Sequence, residues 1–367
     1  MQDYIVEYGG EKDLSSERYN AIDFVKCFAA FAIVCLHTEP FANAEISAGR
    51  HIYFIIDTIA RFAVPFFFMV SGFLFAKKVI IVEEHSADYC VRYLKKIAWL
   101  YFGWTFFYLL YYMGQALLIS YVNHTVFTSP YIPERSTIPI IKWVIQIFCL
   151  GYAGVHLWYL IALLWSMFIL FFFIQRKKIN SLLLMSFVLN VIGVLGNAYQ
   201  GVIPFYFPTR NAVFFGLFYC TLGGFFAYHE KTIRDKTTSF AGFGFGYLFW
   251  LFCVIQLLER TYITQNFQSE IPGEFFFSTI PLSICFFFWV LSKTGNFKES
   301  ALTVIGRNSL GVFVIHYFFI SVLGEVGLLL GLNSRTVIYQ LLFTPLVFIV
   351  SYLVYEYLQK IKFRLIP

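Results

Sequence analysis

The chain has 367 residues and a net charge of +6, with 13% charged residues against 59% hydrophobic ones. Soluble domains carry about 25% charged residues, so this composition excludes an ordinary soluble fold. The modest positive balance suits basic loops beside a membrane rather than nucleic acid.

The long apolar runs also exclude a transmembrane β-barrel, whose strands alternate apolar and polar residues. What remains is an all-α integral membrane protein. Residues 1–19 are polar and mixed in charge, and no small-residue cleavage site follows the first apolar run. A signal peptide is therefore not expected, and 1–19 reads as a cytoplasmic N-terminal segment.

The first span covers 20–38 and should end before Pro40, because a proline pushes the preceding residue out of the helical region. It carries Asp23, Lys26 and His37. A charged group in a bilayer costs about 2.5–3.5 kcal/mol on insertion scales, so each is a candidate functional residue. Lys26 and His37 are about three turns and about 16 Å apart on nearly the same face. Asp23 lies one turn from Lys26 on that face. Two readings stay open. His37 is a general base with charged residues below it that bind or orient a ligand, or Asp23 and Lys26 form a structural ion pair while His37 sits at the outer interface.

The second span, 52–76, contains Asp57, Arg61 and Pro65. A kink at Pro65 would turn Arg61 toward a cavity. An i,i+4 pair of Asp57 with Arg61 is the plainer alternative. The third span covers 94–121. Arg92, Lys95 and Lys96 at its mouth read as phosphate contacts or as the basic anchor that most spans acquire.

Residues 139–150 are apolar but short. Further spans follow at 156–174, 180–198, 211–228, 239–258, 274–292, 308–331 and 336–358. His156 opens one and Arg210 another; both either line an acceptor entrance or anchor at the interface. Trp99, Tyr101 and Trp158 equally suit interfacial anchoring. His316 lies mid-span and needs a partner in a membrane. Glu325, nine residues on, also has none evident. Gly242 to Gly246 reads as helix packing rather than a nucleotide loop. No Walker signature occurs. Seven scattered cysteines suggest neither a disulfide framework nor a zinc site, and no metal is expected. Asn123-His124-Thr125 fits a glycosylation sequon.

With the N-terminus inside, basic clusters such as Lys77-Lys78 and Arg176-Lys177-Lys178 fall in the cytoplasm, and Arg50, Arg135, Lys142, Arg210, Arg260 and Arg335 fall outside. A full span at 139–150 would move Arg176-Lys177-Lys178 outside, so that segment reads as a re-entrant or interfacial helix. The expectation is a bundle of about ten spans with both termini cytoplasmic, one transmembrane domain over 20–358 and a tail at 359–367.

Six motifs now combine. Asp23-Phe24-Val25-Lys26 runs to His37. Arg61 runs through Pro65 to Ser71-Gly72-Phe73. Arg92-Tyr93-Leu94-Lys95, His156-Leu157-Trp158-Tyr159, Arg210-Asn211-Ala212 and Asn308-Ser309 running to His316 follow in order. This series resembles the acyltransferase-3 family of multi-spanning membrane proteins, over about 18–358. Lys26 stands as the lysine variant of that family's basic residue ten positions before the histidine.

The resemblance implies an acyl-CoA-dependent O-acyltransferase. It would move an acyl group, usually acetyl, from cytoplasmic acyl-CoA to a hydroxyl of a glycan, a lipid-linked saccharide or another exported glycan at the plasma membrane of a bacterium. It implies His37, with Lys26 and Asp23, as catalytic residues. Arg92, Lys95, Lys96, Ser71 and Gly72 would bind the donor, and Arg61, His156, Trp158, Arg210 and His316 the acceptor. The implied partners are the lipid bilayer, acetyl-CoA or another acyl-CoA, and the saccharide acceptor; homo-oligomerisation stays open. The alternative is a transporter, since the membrane portion of certain serine racemases resembles this family. No racemase domain is expected, because the chain ends just past its last span.

Overall fold

The structure, a computed structural model, describes residues 19–124, 145–146, 151, 154–203, 208–237, 244–267, 273–293 and 297–365. The 139–150 segment lies outside the described residues except for Ile145 and Gln146, and so do Thr125, Arg135, Lys142, Cys149 and Gly242.

No strand occurs among the described residues; the elements are helices. Helix α1 spans Asn20–Thr38, α2 Gly49–Ala60, α3 Ala63–Val82 and α4 Ser86–Asn123. Helix α5 spans Trp158–Gln175, α6 Ile179–Leu195, α7 Leu217–Tyr228, α8 Glu230–Thr237 and α9 Gly244–Asn266. Helix α10 spans Thr279–Ser292, α11 Ala301–Arg307, α12 Ser309–Leu329 and α13 Val337–Leu365. Among the described residues five helical stretches are long and apolar enough to cross a membrane: Asn20–Thr38, Gly49–Asn123, Trp158–Gln175, Ser309–Leu329 and Val337–Ile361. Three shorter apolar helical stretches, Ile179–Leu195, Ala212–Tyr228 and Thr279–Ser292, accompany them. This is the architecture of a multi-pass helical membrane protein. Its outer faces are apolar where a soluble protein would be polar, as at Trp99, Phe106, Leu117 and Leu118 on α4.

Helix α1 ends where Pro40 requires. Glu39 takes a left-handed conformation and its N–H returns to the Cys35 carbonyl. The second expected span needs correction. It is not one kinked helix but two, α2 and α3, and the break falls at Arg61-Phe62 rather than at Pro65. The reason is local: Pro65 is the third residue of α3, where a missing N–H costs nothing because the first turn has no intrahelical partner for it. Another correction concerns 239–258. Helix α9 runs on to Asn266 and carries Arg260 into the protein, so Arg260 is not a loop residue. The short helices α8 and α11 were not foreseen. Tyr101 is fully buried and is no interfacial anchor, whereas Trp99 is exposed.

The core is organised by close helix crossings. The most extensive pairing is α3 with α7. A Cβ on Gly72 would lie 2.0 Å from the Cys220 carbonyl oxygen, and one on Gly223 2.0 Å from the Met69 carbonyl oxygen. Glycine at both positions is what lets the two backbones touch, as small residues do in membrane interfaces. Gly223→Ala is expected to force these helices apart at a cost of about 1–3 kcal/mol, the usual range for overpacking. A thermal-unfolding series in detergent checks this; an unchanged midpoint would mean the contact is looser than described. Gly306 of α11 makes a similar approach to α1 at the Asp23 carbonyl. On α9, Gly246 packs against the Trp289 ring, which agrees with the packing reading of the glycines there.

One end of the bundle is basic. Lys77, near the end of α3, pairs with Glu230 at 3.1 Å and with the Tyr19 hydroxyl beside the start of α1. A 3-10 turn at Glu83–His85 then leads into α4. Lys26, Lys77, Arg92, Lys95 and Lys96 therefore share this end. His37 lies at the opposite end of α1.

Candidate active site

Three histidines from three different segments meet at the far end of α1. The His37 ring centre is 5.2 Å from that of His316 and 6.5 Å from that of His156, and the latter two are 5.2 Å apart. His156 and His316 are buried; His37, in the last turn of α1, is half-buried. Tyr317 stacks on His156 at 5.4 Å and meets His37 edge-on at 5.7 Å, and Tyr108 of α4 closes the other side at 5.0 Å from His156.

The local backbone explains how this cluster is held. The Tyr108 hydroxyl donates to the Val314 carbonyl at 2.8 Å and accepts from the Phe318 N–H at 3.3 Å. A side chain is thus inserted where an i to i+4 bond of α12 would lie, a recognised way of bending a helix. His156 Nε2 also reaches the Val314 carbonyl, at 3.3 Å. His316 Nδ1 lies 2.7 Å from the Phe313 carbonyl. The partner that His316 required is its own backbone. Among the described residues His156 Nδ1 and His316 Nε2 remain without partners.

Beyond the histidines, a polar seam between α4 and α12 joins Tyr111, Gln115, Ser321 and Glu325. Gln115 donates to Glu325 at 2.8 Å and the Tyr111 hydroxyl to Ser321 at 2.8 Å. Glu325 therefore has a partner that the sequence did not reveal.

The arginines form a second group. Arg61 and Asp57 make the i,i+4 pair that stood as the plainer alternative, at 2.9 Å, and Arg260 from α9 joins the same carboxylate at 2.5 Å. Arg260 also donates to Thr58 Oγ1 at 2.7 Å and lies over the Phe54 ring. Gln256 binds the Thr58 carbonyl at 2.8 Å and accepts from Thr279, tying α2 to α9 and α10. Arg210 pairs with Glu274 at 2.6 Å and lies 5.4 Å over the Trp158 ring. Its position follows from the next residue: the Asn211 side chain caps Val213 and Phe214 N–H at the start of the π-turn Ala212–Gly216 that opens α7. Arg210 and Arg61 both lie on the His37 side of the bundle. His37, His156, His316, Arg61, Arg210 and Trp158 are accordingly grouped at this end.

The remaining expected site residues are elsewhere. Asp23 and Lys26 pair with each other at 3.1 Å near the start of α1. The continuous helix separates Lys26 from His37 by about 16 Å. Arg92, Lys95 and Lys96 are exposed on α4. Counted along that helix to Tyr108, they lie about 18–24 Å from the histidines. Ser71 lies beside the phenols of Tyr93 and Tyr159. Gly72 serves the α3–α7 crossing.

Sequence reasoning overlooked Tyr108, Tyr317 and Arg260. Tyr108 stands in an aromatic run, Phe106-Phe107-Tyr108, in which nothing marks one ring from another. Arg260 follows Glu259, and adjacent charges read as a loop.

Comparison with known proteins bears on this arrangement. A family model described as an acyltransferase domain matches residues 19–356. An amino-acid racemase of Enterococcus faecalis is 26% identical over 306 residues, covering 79% of this chain and 38% of that protein. A second amino-acid racemase of the same organism is 24% identical over 366 residues, covering 94% of this chain and 47% of that protein. A serine/alanine racemase of Enterococcus gallinarum is 26% identical over 262 residues, or 67% of this chain and 33% of that protein. The chain thus spans less than half the length of these curated relatives. No solved structure matches.

Proposed function

Because the chain belongs to the acyltransferase-3 family over residues 19–356, we propose that it transfers an acyl group, acetyl first among them, from cytoplasmic acyl-CoA to a hydroxyl of a glycan or lipid-linked saccharide. The observation that carries this reading is the meeting of His37 with His156 and His316 in one niche at the end of α1.

A neutral hydroxyl is a poor nucleophile near neutral pH and needs a base beside it. Imidazole suits that role because its ordinary pKa is near 6.5. In this reading His37 takes the acceptor's proton as the hydroxyl oxygen bonds to the acyl carbon and the thioester C–S bond breaks. The proton returns to the departing thiolate. Arg92, Lys95 and Lys96, exposed at the basic end, would meet the donor's phosphates. Lys26, held by Asp23, would lie beside the path of the donor's arm toward His37. Arg61, Arg210, Trp158 and His156 would shape the acceptor entrance. The basic end would face the cytoplasm, by the positive-inside rule, in a ten-span arrangement within the plasma membrane of a bacterium.

A second reading is a carrier for a small polar substrate. It draws on the racemases that the chain resembles, of which it matches only a part. Purified protein in lipid with acetyl-labelled acetyl-CoA separates the two. Transfer of label to a hydroxyl acceptor, or release of labelled acetate with free thiol, is expected. A protein that consumes no acetyl-CoA yet moves a labelled amino acid across the bilayer would overturn the transferase reading.

A further inference from the structure

The two buried histidines are each fixed in one tautomer by the backbone. A carbonyl oxygen only accepts, so the nitrogen facing it must carry the hydrogen. His316 Nδ1, 2.7 Å from the Phe313 carbonyl, is therefore protonated, and its Nε2 is bare. His156 Nε2 faces the Val314 carbonyl at 3.3 Å, so its Nδ1 is bare. Neither bare nitrogen has a hydrogen-bond partner among the described residues, and the two residues are 0% and 1% exposed. A buried polar atom left unsatisfied costs about 1–3 kcal/mol and requires an explanation. Two such atoms of the same kind, both acceptors, lie within one cluster. Their lack of partners is informative because the same rings are well bonded at their other nitrogens. The niche is short of donors, and its missing partner is a group that brings O–H or N–H hydrogens.

Position separates the two. The ring of His316 lies 5.2 Å from His37 and equally 5.2 Å from His156, so it is the middle member of the group. At that separation a rotation of the His37 ring, or one bridging water, would join His37 to His316 Nε2. His156 is 6.5 Å from His37 and shares its carbonyl partner with the Tyr108 hydroxyl, which holds its ring in place at the acceptor entrance, farther from His37 than His316 is.

We propose that His316 is a second base of the acyl-transfer site, with its bare Nε2 receiving the proton that the acceptor hydroxyl releases through His37. This rests on the transferase reading above. The balance is simple. The acceptor oxygen bonds to the acyl carbon as the C–S bond of the acyl thioester breaks. The hydroxyl proton goes to one nitrogen of His37, and the hydrogen on its other nitrogen moves to His316 Nε2. The reverse movement delivers a proton to the departing thiolate, leaving an ester, a free thiol and both imidazoles neutral. The Phe313 carbonyl steadies the imidazolium that forms on His316, because it already accepts from Nδ1. The acceptor, or an ordered water beside it, supplies the second donor that His156 Nδ1 lacks.

The test uses the full-length protein in lipid with acetyl-labelled acetyl-CoA and measures loss of label from the thioester. His316→Gln places an amide near the Nε2 position but cannot take a proton near neutral pH. His316→Asn keeps a donor for the Phe313 carbonyl and removes the base, so it serves if the glutamine variant does not fold. The expected result is a fall in kcat of about 10²-fold or more, with KM for acetyl-CoA unchanged, in whichever variant inserts and unfolds at the wild-type temperature. The double variant His37→Gln with His316→Gln should be no slower than the slower single one, because residues that act as a unit are not additive. Wild-type kcat in a folded His316 variant, or a double-variant loss equal to the product of the single losses, would overturn the second-base role alone. A wild-type protein that consumes no acetyl-CoA would overturn the transferase reading and this role with it.

Discussion

Replacing His37 by alanine is expected to abolish acyl transfer while the protein still folds and inserts. Loss of a general base removes about 10²–10⁴-fold in rate, and here the same group also links the acceptor to His316. The fold should tolerate the change. Among the described residues the His37 imidazole makes no hydrogen bond, and its ring contacts are with His156, His316 and Tyr317. It sits in the last turn of α1, whose end is set by Glu39 and Pro40 rather than by the imidazole. Label transfer measured against protein extracted intact in mild detergent checks both halves of this expectation. Full activity in the variant would remove His37 from the chemistry.

The largest expected effect on stability lies at Asp57. Its carboxylate, 2% exposed, receives Arg61 and Arg260 together. Removing one partner of a buried ion pair costs about 3–5 kcal/mol, because the partner left behind is a charge without compensation. Asp57→Ala leaves two guanidinium groups in that position, and Arg260 brings Gln256 and Thr58 with it through the network that ties α2 to α9. The variant should unfold at a markedly lower temperature in detergent. Asp57→Leu combined with Arg260→Met should recover much of the loss, since it removes the buried charge as well as its partner. An Asp57→Ala protein as stable as the wild type would show that water reaches this carboxylate freely.

Much of the fold was open to sequence reasoning where apolar runs are uninterrupted. Helix α1 matches its expected bounds of 20–38 and α12 lies close to 308–331, whereas α13 runs on to Leu365, through most of the expected tail. Where a helix runs past its expected end, the cause is a charged residue inside it that resembles a helix terminus. Glu259-Arg260 appeared to close a span at 258, but both are used inside the protein, Glu259 by the N–H groups of Phe277 and Ser278 and Arg260 by Asp57. At Arg61 the reverse happened, and an apolar flank concealed a real break between α2 and α3.

The candidate site was legible in its residue types and only partly in its grouping. His37, His156 and His316 were each singled out, but their meeting depends on how α12 packs on α1 and on the segment before α5, which no local pattern encodes. The opening of α12 by Tyr108 is a tertiary event and left no trace in the chain. Conversely, the ordered row of Asp23, Lys26 and His37 on one face of α1 suggested a single site. The structure divides it into an ion pair at one end and a histidine cluster at the other.

That division sets the decisive question, which is how far the donor reaches. The direct measurement is a structure of the protein with a non-hydrolysable acetyl-CoA analogue bound. The phosphates are expected beside Arg92, Lys95 and Lys96, with the acyl carbon close enough to the three histidines for an acceptor oxygen to approach it at about 3–3.5 Å. An analogue bound with its acyl carbon at the Lys26 end, and the histidines remote from it, would contradict the account.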